Sequence, residues 1–176
     1  MRLLLVRHGR AGSKAGWIGD DAVRPLTPRG RLEAAALVPL LVPYGPLRIL
    51  SSPLTRCRQT VEPLAQALGL DVEEAEELGP ASDGTAEALV RAIATSPGGP
   101  VVACTHREVI SRLQRRLGRR SGTAFDKHSI CEKASTWVLD WVDGDLSAAT
   151  YVAPPRSGTD RNHHRNDLRT DTEDSA

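Results

Sequence analysis

The sequence predicts an α/β fold, a three-layer α/β/α sandwich around a mostly parallel sheet, and three observations carry the prediction. Short aliphatic runs recur, at Leu3 to Val6, in "LRILSS" and in "VVACT". An uninterrupted apolar run reads as a strand covered on both faces, which is how parallel sheets are buried. Stretches of helical composition separate these runs, giving the order β-α-β-α-(β)-α-β-α-β-β and placing helices against the sheet. Finally, "STWVLDWV", Asp143-Gly144 and "LSAATYV" read as a hairpin that adds antiparallel strands at the end.

Taken in order, the first strand is followed by a polar loop reaching about Arg29. "RGRLEAAALVPLL" has helical composition, and Pro39 is expected to kink or end it, because proline lacks the amide hydrogen and crowds the preceding turn. In "SPLTRCRQTVEPLAQALGL", Ser52 is the expected N-cap, Pro53 the first helical residue and Gly69 the C-terminal stop, with Pro63 bending the middle. "DVEEAEEL" reads as a weak strand or a loop. "TAEALVRAIATS" is a helix stopped by "PGGP", and "HREVISRLQRRLG" is a helix after the third strand. From Pro154 onward almost nothing is apolar, so residues 154–176 are expected to form a disordered tail after a domain of residues 1–153. His163 and His164 fall in that tail and read as solvated.

The length of 176 residues suits one domain with a tail. Aromatic residues make up 3%, so Leu, Val and Ala must build the core, and a surface stacking many nucleobases is not expected. A net charge of +1 gives no bulk attraction to nucleic acid or membrane, and neither is expected as a partner. Cys57, Cys104 and Cys131 are odd in number and lack CxxC spacing, which fits buried thiols in a reducing cytosol. The apolar run near Met1 is too short for a signal peptide or a membrane span, so a cytoplasmic protein is expected. No metal site and no cofactor are expected.

Ligands of such sheets bind beyond the carboxyl ends of the strands. Three strands here end in chemically capable residues: Arg7-His8-Gly9, then Ser51-Ser52 with Arg56 and Arg58 in the following helix, then Thr105-His106-Arg107. If these strands are neighbours, two histidines and at least two arginines converge. Arginines facing one point need an anion between them, and guanidinium forks match phosphate oxygens. Helix N-termini at Ser52 and Thr105 would add backbone donors. A neutral imidazole beside a phosphoryl group is a nucleophile that splits hydrolysis into two easier steps. Gly9 lets the backbone turn where a side chain would block access.

Together these motifs resemble the histidine phosphatase superfamily, with its phosphoglycerate mutase-like fold. The likeness covers Met1 to about Val152 and rests on "RHG", "RPLTPRGRLEA", "SSPLTRCRQT" and the Thr-His junction, in that order. It implies that His8 accepts the phosphoryl group, that Arg7 and Arg56 clamp its oxygens, and that His106 stabilises it in transit, with no metal required. The short chain resembles small bacterial phosphohistidine phosphatases. "RHGRAGSK", "GDDAVRPLTPRG" and "KASTWVLDWVDGDL" also resemble the phosphatase-like half of two-domain actinobacterial proteins whose other half is MutT-like Nudix, a half without a counterpart here. The substrates implied are a phosphohistidine protein or a phosphorylated small molecule such as a nucleotide or phosphoanhydride.

Arg107 departs from the glycine often found after the second histidine; it either extends the cationic pocket or points to solvent. The general acid implied by larger relatives falls in "EEAEELGPASDG", with Glu77 the nearest match and Asp83 second. Ser13 and Lys14 are candidates for a second phosphate, and Lys133 for an anion contact. Thr105 and Arg58 complete the candidate binding set. "RLQRRLGRR" reads chiefly as a solvated helix end, Trp137 and Trp141 as packing on one strand face, and His128 has no evident partner. The rival function is a phosphoryl-binding regulatory module with weak turnover. The sequence leaves the oligomeric state open.

Overall fold

The computed structural model describes residues 1–82, 84–123, 125 and 131–155. The expectations placed on Asp83, His128, His163, His164 and the tail beyond residue 155 lie outside them. Six strands form one sheet in the order β3-β2-β4-β1-β5-β6. They are β1 (Arg2–Arg7), β2 (Arg48–Ser51), β3 (Val72–Glu74), β4 (Val101–Thr105), β5 (Thr136–Val142) and β6 (Asp145–Val152). The first four pair in parallel, whereas β5 runs antiparallel to β1 and β6 antiparallel to β5.

Successive side chains of a strand point to opposite faces, and β1 shows what that does to its aliphatic run. Leu3 and Leu5 pack with α3 (Thr85–Thr95) and α4 (Arg107–Ser121), while Leu4 and Val6 pack with α1 (Pro28–Leu41) and α2 (Thr55–Leu68). Both faces are therefore covered, the expected three layers. The parallel crossovers leave the carboxyl ends of β1, β4 and β2 side by side, because β4 lies between the other two. The hairpin turn is as expected: Asp143 (φ 51°) and Gly144 (φ 85°) are both left-handed, the geometry that matches strand twist. Among the described residues no helix is long and apolar enough to cross a membrane.

Three details depart from expectation. The second helix begins at Thr55, not at Pro53, and its N-cap is Leu54 with no capping side chain. Ser52 is not the cap because its Oγ faces His106 Nε2 at 3.0 Å, inside the site described below. The fourth helix likewise starts at Arg107 with His106, rather than Thr105, as its cap residue. Pro39 and Pro63 do not stop their helices, which run on to Leu41 and Leu68. Each costs the helix one amide donor, a loss that the apolar faces packed on the sheet outweigh. "DVEEAEEL" is split into β3 and a 3-10 turn, Glu76–Leu78.

Candidate active site

The strand ends bring the expected residues together. His8 leaves β1 with its amide bonded to Thr105 O at the end of β4 (3.0 Å), and Ser52 leaves β2 with its amide on Cys104 O (2.9 Å). The sheet register thus fixes three junctions within a hydrogen bond of one another. His8 and His106 meet edge to face, ring centroids 5.2 Å apart. Arg56, in the first turn of α2 and 4% exposed, reaches His106 Nδ1 with Nη2 at 3.5 Å.

Proton positions follow from these partners. Gly9 O can only accept, so the 2.8 Å contact with His8 Nδ1 puts the proton on Nδ1 and leaves the Nε2 lone pair free. Arg56 can only donate, so His106 Nδ1 accepts and its Nε2–H donates to Ser52 Oγ, with Cys57 Sγ at 3.5 Å. Burial holds both imidazoles neutral, at about 3 for His8 and about 3 for His106. For His8 the Gly9 contact works against burial, and the charges of Arg56, Arg7 and Lys133 add to it. For His106 the nearby His8 and Arg56 push the same way, and Asp21 opposes them.

The arginines are arranged around unfilled hydrogen-bonding capacity. Arg7 Nη1 donates to Cys131 O, while the buried Nε of both Arg7 and Arg56 has no acceptor. Burying a guanidinium N–H without a partner is costly, and an oxyanion offers the missing acceptors. Burial lowers Arg7 from its ordinary value, with the charge of Arg107 acting in the same sense. Lys133, half-buried, is lowered by burial and by the fields of Arg7 and Arg10. Among the described residues no carboxylate lies within ion-pair distance of Arg7, Arg107 or Lys133.

Other candidates are placed differently. Arg58 points out of the site and pairs with Glu74 of β3 at 2.8 Å, both half exposed. Arg107 is exposed on the first turn of α4. Ser13 and Lys14 are exposed on the loop after β1, and Lys14 is close enough to help lower the Asp21 carboxyl, which Arg24 chiefly holds down. Glu77 makes no hydrogen bond or ion pair among the described residues; its turn is tied to the end of β4 by Thr105 Oγ1 donating to Leu78 O at 2.5 Å. Gly9 is held by packing more than by its own turn: a Cβ there would sit 3.1 Å from Gly30 O. Gly30 is stricter still, since its Cβ would lie 2.0 Å from Arg10 O.

Two residues that the sequence did not single out complete the wall. Asp21 binds Arg56 twice, through its carbonyl at 2.9 Å and its carboxylate at 3.2 Å. Arg24 is buried, bonded to Asp21 Oδ1 (2.8 Å) and to the carbonyls of Ala11 (2.6 Å) and Gly12 (3.1 Å). The pair fastens the loop after His8 to Arg56. The spacing in "DDAVR" carries the signal, an acid and a base three residues apart in a polar loop. Among the described residues no group of three or more His, Cys, Asp or Glu is placed to hold a metal ion.

Comparison with known proteins agrees with this geometry. The family model of the histidine phosphatase superfamily (branch 1) matches residues 3–88. The protein histidine phosphatase SixA, solved with tungstate, superposes with a TM-score of 0.70 at 23% identity, over 88% of this chain and 97% of that one. The SixA chain of Agrobacterium tumefaciens gives a TM-score of 0.62 at 27% identity, over 87% and 97%. A curated relative, the 8-oxo-(d)GTP phosphatase of Mycolicibacterium smegmatis, is 39% identical over 161 residues, covering 87% of this chain and 48% of the relative. The chain belongs to the histidine phosphatase superfamily and has its phosphoglycerate mutase-like fold. It spans about half the length of that curated relative.

Proposed function

We propose that this chain is a phosphatase that hydrolyses a phosphoryl group through a covalent phosphohistidine at His8, without a metal ion. The observation that carries the proposal is the free Nε2 lone pair of a neutral His8 beside two arginines whose buried Nε–H groups lack acceptors. In the first step Nε2 attacks phosphorus in line and the bond to the leaving group breaks. Arg7 and Arg56 stabilise the charge on the transferring oxygens, the largest kind of contribution an enzyme makes to such a reaction. His106, its Nε2–H committed to Ser52 Oγ, accepts from Arg56 and holds that clamp in place. Glu77, on the turn tied to β4, is the acid that would protonate a poor leaving group. Water then attacks phosphorus, the N–P bond breaks, and inorganic phosphate and free imidazole return.

The substrate is a phosphohistidine protein or a phosphoanhydride such as a nucleotide, whose leaving groups ask little of an acid. The names of the SixA structures support the first class and that of the mycobacterial relative the second. Three free buried cysteines suit the reducing cytoplasm in which we place it. The test is rapid quench with a ³²P-labelled substrate in EDTA: acid-labile label should appear on the wild type and be missing from His8→Ala. Phosphate binding without turnover would mark the chain as a phosphoryl-binding module instead.

A further inference from the structure

We propose that Trp17 is the base platform of a nucleotide subsite, so that the ligand of this pocket is a nucleoside di- or triphosphate. The inference rests on the phosphatase proposal above and names the substrate class of the same site.

Trp17 is the outlier among the three tryptophans. Trp137 and Trp141 are buried in the core, 1% and 5% exposed, whereas Trp17 is 36% exposed and belongs to no core cluster. Ile18 beside it is 96% exposed and Val23 is 58% exposed. The loop thus holds apolar surface in water, outside the core clusters. Its indole is nonetheless fixed in orientation, because Nε1–H donates to Asp20 O at 3.0 Å and its amide bonds Lys14 O at 3.3 Å.

The position of the ring follows from the next residue. Asp20 O takes the indole, and Asp21 O takes Arg56 Nη1 at 2.9 Å. Indole and phosphate clamp are therefore separated by two hydrogen bonds and one residue of backbone. In phosphohistidine the ring is bonded directly to phosphorus and would lie inside the clamp. In a nucleoside polyphosphate, ribose and a further phosphate stand between the transferring phosphorus and the base, which suits this separation. The charge agrees. Arg7, Arg107 and Lys133 have no carboxylate at ion-pair distance among the described residues, and Lys14 lies on the Trp17 loop, so more than one phosphate can be neutralised. A flat base on an oriented aromatic is sequence-tolerant and worth about a tenfold change in affinity or more.

The test uses three probes on wild type, Trp17→Ala and Trp17→Phe. The α,β-methylene analogue of GDP, which cannot be cleaved between its phosphates, is titrated by calorimetry. GDP and acetyl phosphate, which has no ring, are used for turnover. The expected result is weaker analogue binding and a higher KM for GDP in Trp17→Ala, each by about tenfold, with most of the loss restored by Trp17→Phe and acetyl phosphate turnover unchanged. Equal analogue binding in wild type and Trp17→Ala overturns the inference. So does an equal loss with acetyl phosphate, which would mean that Trp17 only supports the loop. A phosphohistidine peptide turned over better than GDP, with the same sensitivity to Trp17, also overturns it. If the wild type hydrolyses nothing, the phosphatase proposal fails, and the calorimetry still decides whether the base subsite exists.

Discussion

At the carboxyl ends of β1, β2 and β4, burial encloses His8, Ser52, Arg56, Thr105 and His106; where β5 packs against α3 and α4, it encloses Trp137, Leu139 and Trp141. Both regions are equally dry. The first is held by directed hydrogen bonds and leaves guanidinium N–H groups without acceptors, whereas the second is held by apolar area and ring contacts. Interactions of the first kind select one arrangement of polar atoms and cost stability; those of the second supply the stability that offsets it. A substitution in one region should therefore move chemistry, and in the other, folding.

The largest separation is expected at His8. His8→Ala should lower turnover on the order of 10⁴- to 10⁶-fold, as removal of a nucleophile does elsewhere. Its urea midpoint should hold or rise, since a buried neutral imidazole is replaced by a group with nothing to satisfy. Loss of folded signal along with activity would erase the contrast between the two regions.

Trp137 is the mirror case. It is the bulkiest fully buried side chain, with Phe125 at 5.4 Å and Tyr151 at 5.3 Å between ring centroids. Trp137→Ala should cost about 3–5 kcal/mol in denaturant unfolding. Trp137→Phe should cost much less, because the indole Nε1 has no acceptor to lose. At a temperature where the Ala variant remains folded, its kcat should match the wild type.

How much of this contrast could be read from the sequence follows its physical origin. Apolar area leaves a periodic trace, so the strands, the helices and the Asp143-Gly144 turn were legible. The three strand-end motifs were legible too, since "RHG", "SSPLTRCRQT" and "CTHREV" each interrupt an apolar run with groups that demand partners. What depends on through-space partners was not. Ser52 reads as a helix cap in one dimension and is a His106 partner in three. Arg58 reads as a second clamp and instead finds Glu74, because β3 pairs beside β2. Asp21 and Arg24 sit in a loop with no periodicity, and Gly30 matters only because Arg10 crosses it.

Within the polar region, Arg56 should come next in effect. Arg56→Ala should reduce kcat/KM for an aryl phosphate by about 2–4 kcal/mol in transition-state terms and raise the Ki of vanadate in parallel. It also strips Asp21 of a partner, so Asp21→Asn should reproduce a small part of the loss in kcat with the pocket cations intact. A vanadate Ki unchanged by Arg56→Ala would remove Arg56 from the clamp.

The neutral histidines give the polar region a pH signature that the apolar one lacks. His8 and His106 sit at about 3 in the folded chain against an ordinary 6.5. The unfolded chain therefore takes up protons near pH 6.5 that the folded chain refuses. The stability tied to neutrality is present above pH 6.5 and drains away as pH falls toward 3. Between pH 7 and pH 5 the loss should be about 2 kcal/mol per histidine. Urea unfolding of His106→Gln at both pH values should show a pH dependence flatter by that amount; an unchanged slope would mean that His106 is already charged in the fold.

The smallest effect is expected two residues from one of the largest. Arg58 shares α2 with Arg56, but successive helical positions two apart do not face the same way, and its guanidinium is committed to Glu74 at 2.8 Å in a half-exposed pair. Pairs of this kind contribute about 0.2–1 kcal/mol and weaken with salt. Arg58→Ala should therefore leave kcat/KM and the vanadate Ki at wild-type values, and should shift the urea midpoint only slightly, with the shift vanishing in high salt. Glu74→Ala should match it, and the double variant should cost no more than either one alone. A tenfold fall in kcat/KM from Arg58→Ala would show that this side chain leaves Glu74 for the phosphate when substrate binds, and the boundary between the polar pocket and the surface of α2 would have to be redrawn.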